Sequence, residues 1–120
     1  MQKISILTFL LILFGCANEY KIRYQPSLPI DEIYIKKGVS KAETVVTAQE
    51  CNLDSHGNST NIDADAPFYL TNNIAIKNAY CMENRGYQHR NTSAKARCLR
   101  YYKFYKEKLS ICIEKDAFKE

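Results

Sequence analysis

Histidine occurs only twice in the 120 residues, no two cysteines come closer than Cys98 and Cys112, and no apolar run reaches the ~20 residues of a membrane span. Each shortage closes off a class of chemistry. Zinc sites bring their thiolates together in Cys-x-x-Cys pairs, so this cysteine spacing argues against them. His56 sits in a polar loop and His89 follows soon after Gly86, neither within a His-Glu-x-x-His pattern, and no Gly-rich phosphate loop is present. Ser55 beside His56 is not a nucleophile pair, because geometry and not adjacency makes a triad. Asp54, Asp63 and Asp65 lack the alternating ligands and closing glutamate of a calcium hand and read as solvated loop carboxylates. An enzyme is therefore the least expected function, with no catalytic residue, metal or small-molecule substrate singled out.

What is present begins with Lys3, followed by an apolar stretch from Ile4 to Phe14, small Gly15, then Cys16 and the polar Asn18, Glu19 and Lys21. A charged start and a short apolar segment describe an export signal. An ordinary signal has a small residue where Leu13 stands, and here a cysteine follows the cut. Leu13-Phe14-Gly15-Cys16 resembles a bacterial lipobox, although Phe14 departs from the smaller residue usual at its position. The resemblance implies a signal peptide over 1–15 and a mature chain whose first residue, Cys16, carries thioether-linked diacylglycerol and an N-acyl chain such as palmitate. No other cofactor is expected. Two or more acyl chains anchor stably, at ~0.8 kcal/mol per buried CH₂. Ala17 in place of the aspartate that retains many lipoproteins in the inner membrane implies the periplasmic face of the outer membrane, in a cell with two membranes.

The mature chain is long enough for one domain with a modest core. Residues 16–30, polar and carrying Pro26 and Pro29, read as a flexible tether, and 31–120 as the domain. Lys3 leaves with the signal, so the mature chain is only mildly basic, a balance that names no partner. The remaining cysteines are Cys51, Cys81, Cys98 and Cys112, an even set that in an exported domain reads as two disulfides. Each is worth roughly 3 to 4 kcal/mol through loop-closure entropy.

Ile33-Tyr34-Ile35 reads as a short strand, and Ser40 with Glu43 forms a capping box for a helix running to about Leu53, with Ala48 and Cys51 inward. Residues 54–66, rich in Asp, Asn and Ser, read as a surface loop. Asn58-Ser59-Thr60 and Asn91-Thr92-Ser93 match a glycosylation acceptor that has meaning mainly in eukaryotic secretion. Pro67 opens a second helix with Leu70, Ile74 and Cys81 at helical intervals, and Gly86 stops it. Tyr87-Gln88-His89 returns as a brief strand beside Tyr34. Thr92 or Ser93 caps a third helix, along which Cys98, Tyr102, Tyr105, Leu109 and Cys112 make the clearest amphipathic stripe, with Arg100, Lys103 and Glu107 opposite.

In one continuous third helix Cys98 and Cys112 lie about 21 Å apart at ~1.5 Å per residue, well beyond the roughly 4.4 to 6.8 Å of bridged Cα atoms. An up-down-up bundle then pairs Cys51 with Cys112 and Cys81 with Cys98, the preferred arrangement. The rival is sequential pairing, Cys51 with Cys81 and Cys98 with Cys112, which requires the third helix to break near Tyr105, where the aromatic run 101–105 also suits a strand. The expected fold is mainly α: a small disulfide-stapled domain of about three helices with a short two-stranded ribbon. The alternative is an α+β fold with a C-terminal hairpin.

Lys37-Gly38-Val39-Ser40, the helix ending at Cys51, and Tyr80-Cys81-Met82-Glu83-Asn84-Arg85-Gly86-Tyr87 together resemble a pattern of small uncharacterised bacterial envelope lipoproteins, over about residues 33–88. The segment with Cys98 and Cys112 departs from that pattern. Lys108 to Lys119 also faintly echoes Lys77 to Gln88, with Ala117 as the only counterpart of Gly86.

Arg85, Arg90, Lys95, Arg97, Arg100, Lys103 and Lys106 occupy a stretch without acidic residues before Glu107, interleaved with Tyr87, Tyr101, Tyr102, Phe104 and Tyr105. Nucleic-acid proteins use such residues, but an exported lipoprotein seldom meets nucleic acid. An anionic envelope component touching Arg97, Arg100 and Lys103 is the functional reading, and a solvated helix face over an aromatic core is the plainer one that carries more weight. Membrane attachment through lipid, with an envelope protein as partner, is the expectation. The function expected is non-catalytic contact, as an accessory or scaffold of an envelope assembly. An inhibitor or immunity protein directed at a periplasmic enzyme or toxin is the alternative.

Overall fold

The computed structural model describes residues 27–118, so the expected signal peptide, Cys16 and most of the expected tether lie outside the described residues. The elements run α1 (Ile30–Ile33), β1 (Tyr34–Ile35), α2 (Lys41–Glu50), α3 (Phe68–Asn84), β2 (Gln88–His89), α4 (Ala94–Tyr105), a 3₁₀ turn (Lys106–Lys108) and α5 (Ser110–Glu114). The architecture is mainly helical with one antiparallel two-stranded ribbon, in which Tyr34 pairs with His89 and Ile35 with Gln88. A strand after Gly86 lying beside Tyr34 is what the sequence implied, although Ile33, expected in the first strand, closes α1 and Tyr87 precedes β2. Ile30, placed at the end of the tether, is instead a core residue whose N–H donates to Ser55 O at 2.7 Å.

Helix starts follow the side chains available to cap them. Ser40 Oγ accepts from the Glu43 N–H at 3.2 Å and Ser93 Oγ from the Ala96 N–H at 3.0 Å, satisfying donors that no helical carbonyl reaches. Pro67 precedes α3, with its carbonyl accepting from Thr71 N at 3.2 Å.

Helix ends repeat one device three times. The N–H of Leu53 bonds Ala48 O at 2.8 Å, that of Tyr87 bonds Met82 O at 3.1 Å, and that of Ala117 bonds Cys112 O at 2.8 Å. The residue before each, Asn52, Gly86 and Asp116, has φ of 61°, 90° and 54°. This is the Schellman arrangement, in which a left-handed residue turns the chain back across the helix end. Leu53, Tyr87 and Ala117 are thereby delivered into the interior, each less than 5% exposed.

Two buried clusters result, and α3 serves both. Ile30, Tyr34, Ala48, Cys51, Leu53, Met82 and Tyr87 form one, while Ile76, Ala79, Ala94, Cys98, Leu109, Ile111 and Cys112 belong to the other. The fully buried apolar residues of α3 are therefore Ile76, Ala79 and Met82; of Leu70, Ile74 and Cys81, placed at helical intervals from the sequence, Cys81 packs against the first cluster, Ile74 is half-buried and Leu70 is exposed.

The disulfides correct the preferred pairing. Cys51 bonds Cys81 and Cys98 bonds Cys112, with Cα separations of 5.6 and 5.7 Å, so neither Cys51 with Cys112 nor Cys81 with Cys98 is a pair. The reason is the third helix, which is not continuous. α4 ends at Tyr105, Lys106 adopts φ of 43°, and after the 3₁₀ turn the chain reverses to lay Leu109, Ile111 and Cys112 against α3. Burial of Leu109 and Ile111, at about 1.5 to 3 kcal/mol per side chain, offsets the cost of breaking the helix. The aromatic run 101–105 stays helical, so among the described residues there is no C-terminal β-hairpin. Tyr102, expected on the inner stripe, faces outward.

Candidate functional site

Two features of the described residues bear on function. The first is a concavity of about 380 Å³ lined by Glu83, Gln88, His89, Arg90, Asn91, Thr92 and Ser93. It lies where the Schellman turn after α3 feeds β2 and β2 feeds α4. A broader hollow bounded by Asp31, Glu32 and Ile35 adjoins it and shares His89 and Arg90.

Glu83 and His89 are both already engaged. His89 Nδ1 accepts from the backbone N–H groups of Asn91 at 3.0 Å and Thr92 at 3.3 Å, which requires the neutral ring with its hydrogen on Nε2. The ring meets Tyr34 edge-on, with centroids 5.1 Å apart. Burial, then the nearby Arg97 and Arg90, lower the His89 pKa below its ordinary value. Glu83 accepts from the Ala94 N–H at 2.7 Å, so its carboxylate caps α4 across eleven residues. Burial raises the Tyr34 phenol, with Arg97 opposing the shift and Glu83 adding to it. These side chains hold the β2–α4 turn in place. Nothing in the sequence singled out Glu83, because its partner is a backbone group brought near only by the fold.

The second feature is the outer side of α4. Ala94 and Cys98 face inward with Tyr101 and Tyr105 beside them, which leaves Lys95, Leu99, Arg100, Tyr102, Lys103 and Phe104 exposed. Leu99 is 44% exposed, Tyr102 48% and Phe104 73%. Arg100 and Lys103 thus share a solvent-facing side, whereas Arg97, grouped with them from the sequence, is half-buried and faces Tyr34 and His89. The three cations do not form one patch.

In the 54–66 loop, Asp54 Oδ1 accepts from the N–H groups of His56 at 2.8 Å and Asn58 at 3.0 Å. Those bonds, Asn58 first, lower the Asp54 pKa. The carboxylate organises its own turn. Among the described residues no cluster of three or more His, Cys, Asp or Glu is placed to hold a metal, and no helix is long and apolar enough to cross a membrane. Cys16 lies outside the described residues. The chain matches no family model, no curated protein and no solved structure.

Proposed function

We propose that this chain is a lipid-anchored protein of the bacterial envelope, attached through Cys16 and acting without catalysis, by contact within an envelope assembly. The observation that carries the reading is the lipobox-like Leu13-Phe14-Gly15-Cys16 set beside the disulfide framework. Cys51, Cys81, Cys98 and Cys112 pair among themselves, which leaves Cys16 outside the framework and fits export to an oxidising compartment. A contact role draws support from the concavity at His89, where Glu83 and His89 both serve the backbone.

Radiolabelled palmitate fed to cells producing the full chain tests the anchor. Label is expected in the wild type and absent from Cys16→Ser, which stays at precursor size. Equal labelling, or processing of both chains alike, overturns the reading. Crosslinking of the membrane-bound protein in cells tests the contact role, with a stoichiometric protein adduct as the expected result.

A further inference from the structure

Resting on attachment at Cys16, we propose that the outer face of α4 is a docking surface for anionic lipid headgroups, so that the domain lies against the membrane that holds it. α4 contains no acidic residue, and Glu107 is the only one between Ala94 and Leu109. With 3.6 residues per turn, Leu99 lies beneath Lys103 and Arg100 beneath Phe104, giving two adjacent rows that each join one apolar and one cationic side chain. Lys106 adds an exposed cation just past the helix end, while the Lys108 ammonium lies over the Tyr69 ring at 5.1 Å, and of residues 99 to 104 all but Tyr101 are solvent-facing.

Single exposed apolar side chains are ordinary on a protein surface. Here Leu99 and Tyr102 are neighbours one turn apart, the Tyr102 ring lies 4.7 Å from that of Phe118 at a tilt of 56°, and Phe104 stands on the other side of Lys103, above Arg100. Cations interleaved with exposed aromatic and aliphatic groups on one helix face are what lie in the headgroup layer, the apolar groups entering the acyl boundary while Lys and Arg meet the phosphates. Tether length agrees. Cys16 and Ile30 are fourteen residues apart, which allows at most about 50 Å of reach, so an anchored domain stays within its own dimensions of the surface and meets it at high effective concentration.

The chain has no tryptophan, so Leu99→Trp places a single reporter on this face. Full-length protein extracted from membranes is reconstituted into vesicles of phosphatidylcholine alone, or with about one third phosphatidylglycerol, and floated through a density gradient. Flotation with neutral vesicles reads the acyl anchor. Quenching of the reporter by brominated acyl chains reads the docking face, and is expected to be about twofold or more on anionic vesicles and slight on neutral ones. Arg100→Gln, Lys103→Gln and Lys106→Gln together are expected to abolish that quenching, since each lost cation weakens surface binding about fivefold.

Flotation with both vesicles and quenching equal on both overturns the docking face and leaves the anchor standing. Flotation with anionic vesicles only, with quenching, keeps the face and removes the anchor. Failure to float with either removes both. Quenching that survives the triple substitution overturns the assignment to these cations, and an unchanged melting temperature in that variant shows that folding is not the cause.

Discussion

Asn78 Nδ2 on α3 donates to Ser59 Oγ at 2.9 Å, and the same nitrogen bonds Asn61 Oδ1 at 2.9 Å. Both N–H groups of one buried amide are thereby used to hold the polar 52–61 segment on the helix. Asn78→Ala removes both bonds and is expected to cost about 1 to 3 kcal/mol, read as a lowered urea midpoint. Amide exchange at Thr60, whose N–H bonds Asn52 O at 2.8 Å, rises with it. An unchanged midpoint in the variant denies the amide that role.

Much of this architecture was legible because local chemistry wrote it. Ser40, Ser93 and Gly86 act where their side chains, or the lack of one, satisfy a helix end, and the brief strand after Gly86 returns beside Tyr34. The break after Tyr105 carried no such mark, since neither glycine nor proline stands there and Lys106 takes a left-handed conformation that lysine seldom adopts. Its cause lies in Leu109, Ile111 and Cys112 finding α3, a contact no local pattern reports. For the same reason Asp116 fills the position that Gly86 holds after α3, where the sequence offered only Ala117 as a counterpart. On α4 the residue types of the basic face could be read, but not that Arg97 turns toward Tyr34 while Arg100 and Lys103 turn outward.

Gly86 tests the Schellman turns directly. Its φ of 90° strains any L side chain, and an added Cβ meets Lys36 Cε at 3.2 Å. Gly86→Ala is expected to destabilise the domain by about 1 to 2 kcal/mol, mostly through the backbone, because the Lys36 chain can give way. Thermal unfolding measures it, and a melting temperature equal to the wild type refutes the strain.

His89 makes stability depend on pH. Its folded pKa lies below the ordinary value of about 6.5, so the unfolded chain binds the proton more readily. Stability is therefore full above about pH 6.5 and falls as the pH drops through that value toward the folded pKa, below which the loss is complete. His89→Asn, whose Oδ1 takes the place of Nδ1 as acceptor for Asn91 and Thr92, is expected to flatten the urea midpoint between about pH 7 and 5.5. An equal slope in both proteins assigns the effect elsewhere.

Cys51–Cys81 closes a 30-residue separation inside one buried cluster and Cys98–Cys112 a 14-residue separation inside the other. Peptide mapping under non-reducing conditions is expected to recover these two links, and any Cys51–Cys112 peptide contradicts the fold. Loop-closure entropy assigns about 3 kcal/mol to the shorter loop and a little more to the longer. Because the bonds lie in separate clusters, replacing both cystines by alanine pairs is expected to cost the sum of the single losses to within about 0.5 kcal/mol. A shortfall larger than that, measured by a double-mutant cycle in urea, shows that the two clusters are energetically coupled through α3.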